Sequence, residues 1–564
     1  MYVSKQCFTS FNQSINSIDL PTKFTFPFYY EPHPLCLLAT EQLQQHLTTQ
    51  KQWQHDFGLV NVNDNSIGKM FGVLIVQDSN GNVGYLSAFS GKLANQNILP
   101  HFVPPVFDIL SKECFFTNEQ THINNINAQI LNKENNPEIE KLKNLLEILS
   151  IEAKHQISTL QDEIIIQRKK RKLLRDTFEK SVVSQNKAQE NALLKEQLAK
   201  ESIAEKNKLK ALKLHFTNQT NGFSAPLKRL TDEVNELKNQ RKILSAALQQ
   251  KIFEQYRFLN SHGEEKSLQE IFISSKTQQP PAGAGECAAP KLLHYAFLSN
   301  MKPLAMAEFW WGASPKSEVR QHKNFYPSCL GKCKPILQHM LDSIEMDDNP
   351  LLINPAIGKK LGIIYQDEFI VVINKPAEFL SVPGKNITDS VYERMKAAFP
   401  SAEGPLIVHR LDMSTSGLMV IALTKDANKY LQRQFINRSV TKRYVALLDG
   451  ILTEPQGAIN LPLRGDLDDR PRQRVCYKYG KAAQTYWQVI EQQGTQTKVA
   501  LTPKTGRTHQ LRVHCAHILG LNTPIVGDDL YGKKSNRLHL HAQLLAFKHP
   551  GTHELMQFKA EAEF

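Results

Sequence analysis

The stretch that decides the fold of the C-terminal part is His409-Arg410-Leu411-Asp412-Met413-Ser414-Thr415-Ser416-Gly417. It places one carboxylate, Asp412, in a loop of small and polar residues, and the apolar run 418–423 follows at once. An apolar run that follows turn residues predicts a buried strand. A lone aspartate in a loop is usually a cap or turn residue, so the surrounding motifs must decide whether Asp412 has a chemical role.

Further motifs lie on both sides of this run. Upstream, residues 363–375 predict two strands joined by an acidic turn, and they end in Lys375-Pro376. Downstream, Lys442-Arg443-Tyr444-Val445-Ala446 opens another strand, and Gly506-Arg507-Thr508-His509-Gln510-Leu511-Arg512 follows much later. The segment 524–532 comes last. Each motif alone also has an ordinary structural explanation, so the argument depends on their combination.

In this order the motifs closely resemble the RluA-type family of RNA pseudouridine synthases. The resemblance implies an α+β catalytic domain at residues 355–564 with a mixed, largely antiparallel sheet. It also implies an isomerase that converts uridine to pseudouridine in structured RNA without a cofactor. The segment 470–485 looks most like the small bacterial member that modifies both large-subunit rRNA and a tRNA. The family has a glycine two residues after the lysine of its first motif, where this chain has Ala377.

The resemblance also assigns catalytic residues. Asp412 is expected to attack uracil at C6, or to assist at the sugar once the glycosidic bond has broken, and the sequence leaves both routes open. Burial would raise the pKa of this carboxyl, so a cation is needed, and Arg512 is expected to pair with Asp412. Tyr444 is expected to stack on the uracil and to serve proton transfer at C5.

Substrate contacts are expected around these three residues. Leu511 should pack against the base, and Arg410 should enter the space that the target nucleotide vacates when it leaves the stack. The remaining substrate-binding candidates are His409, Arg507, His509 and Lys375. The two arginines that flank His509 could also be plain RNA contacts or salt bridges, and this histidine could simply be packed.

The upstream half divides into three regions by composition. Residues 1–130 form a mixed α/β region with a predicted helix from Pro34 to His46 and a hairpin from Phe71 to Leu86. Residues 261–350 form a second globular part, and a linker leads from there into the catalytic domain.

Between the two globular parts, residues 137–260 have almost no glycine or proline and a three- and four-residue apolar spacing. This pattern predicts two long helices in an antiparallel coiled-coil hairpin, with a break near 218–226. A single rod that forms a homodimer is the alternative. The basic run 168–172 could touch phosphates, but a solvated face is the simpler interpretation.

Three cysteines open two predicted helices in the second globular part: Cys287, Cys329 and Cys333. The order of helix, hairpin, helix, strand and helix is similar to that of zinc-dependent nucleobase deaminases, which would join 1–130 and 261–350 as one degenerate domain. Ala289 stands where that pattern has its glutamate, so deamination is not expected. A structural zinc completed by His322, and ordinary reduced thiols, both stay open.

Composition bounds the remaining classes. The 564 residues require several domains, and a net charge of +13 favours a nucleic-acid partner. The eight cysteines are too dispersed for a secreted disulfide framework, and no apolar stretch approaches a membrane span. Residues 1–7 have no leader-like apolar run, so we expect a cytoplasmic protein. An RNA chaperone or ribosome-assembly factor that uses the coiled coil as an adaptor is the alternative function.

Overall fold

The structure is a computed structural model that describes residues 7–60, 66–111, 114–180, 185–275, 278–467 and 469–564. The chain forms two compact units, Met1–Asp108 with Phe253–Phe564, and Ile109–Ile252. The expectation about a leader depends on residues 1–6, which lie outside the described residues. Within the described ranges, no helix combines the length and the apolar character needed to cross a membrane.

The elements of the N-terminal and central parts follow the chain in a regular order. They are β1 (Thr9–Ser10), α1 (Pro34–Thr49), β2 (Lys69–Gln77), β3 (Val83–Phe89), α2 (Phe115–Glu134), α3 (Pro137–Lys180), α4 (Gln185–Gln255), β4 (Arg257–Leu259), β5 (Glu265–Ser267), α5 (Leu268–Ile273), α6 (Ala288–Leu298), β6 (Lys302–Trp311) and α7 (Cys333–Met340).

A four-stranded sheet joins the two globular parts that flank the long helices. Its order is β1-β3-β2-β6, and β2 pairs antiparallel with both β3 and β6. The predicted helix and hairpin are thus confirmed. Val73 and Ile75 share one core cluster with α1, while a Cβ at Gly72 would meet Ala288 of α6 at 2.9 Å. Successive residues of a strand point to opposite faces, so helices cover both faces of this sheet.

The helical unit is an antiparallel coiled-coil hairpin, as predicted, but its arms differ from the prediction. Helix α2 belongs to it, although the sequence placed this stretch in the N-terminal region. Lys133 of α2 pairs with Glu233 at 2.6 Å, and Arg171 of α3 bonds Glu205 at 2.6 Å. Residue numbers rise on one arm while they fall on the other, so α2 and α3 together run against α4.

The predicted break near 218–226 is wrong, because α4 continues through it with Pro226 inside the helix. On either side, Phe216 and Val234 remain buried, so packing along the arm outweighs the local propensity of glycine and proline. The second apolar seam packs on α2, where Val234 forms a cluster with Ile126 and Ile130. The two predicted seams therefore bury against different partners rather than against each other.

The C-terminal part is a mixed sheet with helices beside it. Its elements are β7 (Gly362–Gln366), β8 (Ile370–Lys375), α8 (Val391–Ala398), β9 (Leu406–Ile407), β10 (Ser416–Ala422), α9 (Lys425–Ile436), β11 (Thr441–Leu448), β12 (Gln456–Asn460), β13 (Leu463–Gly465), β14 (Gln473–Val475), β15 (Gln484–Gln493), β16 (Gln496–Pro503), α10 (Gln510–Ala516), β17 (Leu540–Lys548) and β18 (Leu555–Lys559).

The main path of this sheet is β12-β15-β16-β11-β17-β10-β8-β7, with β18 on β17 and β9 on β10. Among the described pairings, β10 and β17 run parallel and the others antiparallel. The predicted mixed, largely antiparallel α+β domain is therefore confirmed. Gly417 lies where β10 meets β17, with φ of 115°, and a Cβ there would stand 2.4 Å from the Ala542 carbonyl oxygen. Only glycine allows this approach, which fixes the end of the Asp412 loop.

Residues 314–328, which we call the strap, connect β6 to the cysteine-bearing α7 and lie on the C-terminal part. Val319 of the strap is buried in one cluster with Val513 of α10. The ring Nε2 of His517 donates to the Lys316 carbonyl at 3.1 Å. The strap thus completes the core beside α10, the helix that holds Leu511 and Arg512.

Candidate active site

A cleft of about 580 Å³ opens in the C-terminal part. Its walls come from the loop before β10, the start of β11 and the loop that leads into α10. The cleft brings together most of the residues that the sequence predicted for the site: His409, Arg410, Asp412, Tyr444, Arg507, Leu511 and Arg512. Motifs that are about a hundred residues apart in the chain therefore share one surface.

The charge of the cleft is strongly one-sided. Among the described residues that line it, Asp412 is the carboxylate, and the cations are Arg410, Arg438, Lys442, Lys504, Arg507 and Arg512. A cationic cleft draws in a phosphate backbone and leaves one acidic group to act at its centre. The sequence analysis did not single out Arg438, Lys442 or Lys504, although the basic pair before Tyr444 was a visible signal.

The backbone on both sides of Asp412 is held in place. Ser381 Oγ donates to the Leu411 carbonyl at 2.6 Å and accepts the Leu411 N–H at 3.1 Å. After Asp412, the Met413 carbonyl accepts from the Phe379 N–H at 3.0 Å. The carboxylate is therefore mounted on a loop that is anchored before and after it, which preorganises the site.

Lys375 anchors the same loop from below, and its predicted substrate contact is not supported. Its side chain is fully buried, and Nζ donates to the carbonyls of Pro376, Phe379 and Met413 at 2.8 to 3.0 Å. Burial lowers the pKa of this amine to about 7. Since an amine that is bonded to three carbonyls beneath the loop cannot reach the cleft, Lys375 supports Asp412 indirectly.

Tyr444 lies on β11 at a break in the strand register. It stands opposite Leu501 of β16, and its pairing with β17 shifts between Arg443 and Tyr444. Such an irregularity re-aims a side chain, and the half-buried ring lines the cleft. Burial, reinforced by the negative charge of Asp412, raises the pKa of the Tyr444 phenol. The hydroxyl therefore keeps its proton at neutral pH.

Arg512 pairs with two aspartates other than the predicted one. Its Nε and Nη2 donate to the Asp528 carboxylate at 2.8 and 2.6 Å, and Nη2 also donates to Asp529 at 2.9 Å. The charge of Asp412 raises the Arg512 pKa as well, as the last of the acidic influences on it. The expected direct ion pair with Asp412 is thus replaced by an electrostatic influence, because Asp528 is fully buried and offers both oxygens to the guanidinium.

The two predicted histidines have structural contacts. His409 Nε2 accepts the Val420 N–H at 3.2 Å, and burial, together with Lys442, lowers its pKa to about 3. His409 is therefore neutral and supports β10 while it lines the cleft. His509 is hydrogen-bonded through Nδ1 to the Tyr531 hydroxyl at 2.9 Å and is not among the lining residues. Packing, rather than RNA contact, accounts for this second histidine.

The cysteines form a separate cluster in the N-terminal part. The sulfur atoms of Cys287, Cys329 and Cys333 all lie within 4.8 Å of one another. His322 is not a member of this group, since its Nδ1 accepts the Gly312 N–H at 3.0 Å. The expected fourth ligand is therefore wrong, because the histidine is bonded to backbone next to β6.

Comparison with known proteins supports the interpretation of the cleft. The family model described as RNA pseudouridylate synthase matches residues 369–517. The chain is 48% identical over 210 residues to the dual-specificity RNA pseudouridine synthase RluA of Yersinia pestis, covering 36% of this chain and 99% of that protein. It is 46% identical over 219 residues to the protein of the same name from Escherichia coli K12, covering 37% and 97%.

Two solved human structures are also similar to this chain. Human RNA pseudouridylate synthase domain containing 1 is 31% identical and matches over 36% of this chain and 85% of that one, with a TM-score of 0.32. Human RNA pseudouridylate synthase domain containing 4 is 29% identical over 36% and 88%, with a TM-score of 0.30.

Proposed function

Because this chain belongs to the RluA-type family of RNA pseudouridine synthases, and is an isomerase acting on RNA, we propose that Asp412 is the carboxylate that carries the reaction. The observation that supports this assignment is the cleft, in which Asp412 is the acidic group among the described lining residues and six cations surround it. The anchored backbone around Asp412 supports it further, because a catalytic group must be held in its working position.

The reaction breaks the bond between N1 and C1′, turns the uracil, and forms a bond between C5 and C1′. Asp412 either adds to the ring at C6 or acts at the sugar after the first bond breaks, and both routes use an ionised carboxylate. The C5 proton must then leave, while the pyrimidine keeps a proton on N1. We place Tyr444 at this step: its neutral hydroxyl gives up its own proton as it accepts the one from C5.

The remaining residues bind and orient the nucleotide. Leu511 lies in the cleft wall, where it can support the flipped base from the side opposite Tyr444. Arg410 is exposed at the cleft and is proposed to fill the stack that the nucleotide leaves. Arg512, held by Asp528, keeps a fixed positive charge near Asp412 and favours its ionised form.

The substrate is proposed to be structured RNA of more than one kind. The relatives from Yersinia pestis and Escherichia coli are described as dual-specificity enzymes, and nearly their whole length is covered by the C-terminal part of this chain. We therefore propose both rRNA and tRNA as substrates, in the cytoplasm. The target uridine is to be found by mapping pseudouridine in both RNA classes from a deletion strain.

The coiled coil is proposed to extend the range of contacts, by a homodimer or with a further partner. Support comes from large apolar residues that one hairpin leaves exposed on α3, such as Ile148 and Ile151 at 61% and 64%. Apolar surface of this kind is characteristic of a helix that packs against a second molecule.

Replacing Asp412 by asparagine tests the assignment. Asp412→Asn keeps the size of the side chain and removes its charge, so pseudouridine formation should fall by at least about 10⁴-fold, as for loss of an essential nucleophile or base. The measurement is tritium release from C5-labelled RNA, with carbodiimide primer extension to locate the product.

The matched control is Asp426→Asn on α9, whose side chain is 97% exposed and pairs weakly with Lys429 at 3.9 Å. This variant should retain wild-type activity. Pseudouridine formed by folded Asp412→Asn at a rate close to that of the control would remove Asp412 from the mechanism.

A further inference from the structure

The cysteine cluster has the geometry of a metal site. Its three sulfur atoms lie within 4.8 Å of one another, and those of Cys329 and Cys333 are 3.5 Å apart. A tetrahedral zinc with bonds of about 2.3 Å requires ligand sulfurs about 3.8 Å apart. We propose that Cys287, Cys329 and Cys333 bind one Zn²⁺ ion that ties helix α6 to helix α7.

The local structure prepares the thiols for this role. Cys287 is the N-cap of α6, and its side chain makes no capping hydrogen bond. Cys333 is the first residue of α7. The partial positive charge at a helix N-terminus stabilises a thiolate, which is the form that binds metal. Two of the three ligands therefore stand where the fold favours their charged state.

Glu308 of β6 links the two segments that hold the ligands. This carboxylate is 4% exposed, accepts the Ala289 N–H at 3.3 Å and accepts the Ser328 hydroxyl at 2.6 Å. Ala289 follows Cys287 by two residues, and Ser328 directly precedes Cys329. Hydrogen bonds of this kind orient metal ligands, so Glu308 is a positioning residue for the cluster.

The proposed site is structural. Both carboxylate oxygens of Glu308 are bonded to protein groups, so this residue is not available as a proton carrier. Among the described residues, no other Cys, His, Asp or Glu joins the three thiols, and water takes the fourth position. The strap ends directly before Cys329, so the ion would fix the end of the segment that packs beside α10.

The first test is the zinc content of the full chain, purified without chelators. We expect one zinc per chain by plasma mass spectrometry, and near-complete loss of zinc in Cys329→Ser. Cys476→Ser is the matched control, because Cys476 is a partly exposed cysteine of the C-terminal part that lies outside the cluster. Equal zinc in Cys329→Ser and the control would overturn the proposal.

Cobalt substitution gives an answer that does not depend on a variant that folds. Protein stripped by a chelator and reloaded with Co²⁺ should show thiolate-to-cobalt charge-transfer absorption and the visible bands of a tetrahedral site. A featureless spectrum and less than stoichiometric zinc after reloading under reducing conditions would refute the site. So would a Cys329–Cys333 disulfide in freshly purified, unreduced protein.

Glu308 is tested by metal competition. Glu308→Ala removes the acceptor of both hydrogen bonds, so zinc affinity should fall by about 10- to 100-fold, the effect usual for lost outer-shell partners. Glu308→Gln keeps an acceptor oxygen and should restore most of this affinity. If both variants bind zinc like the wild type, the positioning role of Glu308 is wrong.

Discussion

A single buried amine determines how Asp412 is presented. Lys375 belongs to β8, yet it bonds the Met413 carbonyl next to Asp412 and the Phe379 carbonyl on a second loop. Three acceptors around one Nζ fix both loops at the same point. Since the amine lies away from water, its protonation depends on the fold rather than on the solvent.

Replacing Lys375 by methionine should destabilise the protein by about 3 kcal/mol, because buried carbonyls lose their donor. The effect depends on pH. The pKa of Lys375 is about 7 in the fold and about 10.4 in the unfolded chain, so the unfolded chain holds the extra proton between these values. The wild type should therefore gain stability over Lys375→Met as pH rises from 7 to 10, and least of this gain should be present below pH 7.

Denaturant unfolding across this pH range measures the difference between wild type and variant. Lys385→Met is the control, because Lys385 is exposed and its removal should leave the difference independent of pH. A flat difference for Lys375→Met would mean that the amine stays fully protonated in the fold.

At this scale the sequence predicted the members of the cleft better than their contacts. Asp412, Tyr444 and Leu511 lie in the cleft as the motifs suggested. The burial of Lys375 could not be predicted, because it depends on carbonyls from separate loops. The aspartates that hold Arg512 were visible in the segment 524–532, but residue type alone did not identify their partner.

At the scale of elements, helix α10 depends on the loop that follows Ile525. Asp528 Oδ1 accepts the N–H groups of Leu530 and Tyr531, and its carboxylate also binds Arg512. One buried carboxylate thus closes a turn and neutralises a cation at once. Removing one partner of such a pair leaves the other charge buried without compensation.

Asp528→Asn and Asp529→Asn test this difference between neighbours. Both residues contact Arg512, but the Asp528 side chain is 0% exposed and that of Asp529 is 26% exposed. Asp528→Asn should cost about 3–5 kcal/mol of the free energy of unfolding, whereas Asp529→Asn should cost about 1 kcal/mol or less. Urea titration monitors both variants, and equal losses would contradict the unequal roles assigned here.

The helices show where prediction from a single sequence is limited. The apolar spacing correctly predicted an antiparallel hairpin, but residues 218–226 were interpreted as its turn. Glycine and proline lower helix propensity locally, yet burial of Phe216 and Val234 on either side keeps α4 continuous. Packing against another arm is not visible in the local sequence.

At the scale of the whole chain, the N-terminal sheet and the catalytic part belong to one unit. Tyr29 donates to Asp529 at 3.2 Å, and Asn324 of the strap donates to the Gly532 carbonyl at 2.9 Å. Both contacts reach the loop that holds Arg512. The coiled coil, in contrast, is a compact unit of its own.

Replacing residues 109–252 by a short glycine-serine linker should therefore leave the isomerisation rate on a short target RNA unchanged. The rate and the thermal unfolding of the larger unit are measured beside the full chain, and light scattering of both shows whether the coiled coil holds two copies together. A folded variant that had lost its activity on this RNA would show that the coiled coil takes part in catalysis.

The rings of Phe107 and Tyr256, which flank the coiled coil in sequence, lie 5.7 Å apart. The chain thus departs from its host and returns to it at nearly one point. A junction of this kind accepts additions of almost any length, since the host already closes the loop. A lineage of such enzymes could gain, exchange or discard a recognition arm in one genetic event, and its choice of RNA could diverge while the reaction chemistry stays the same.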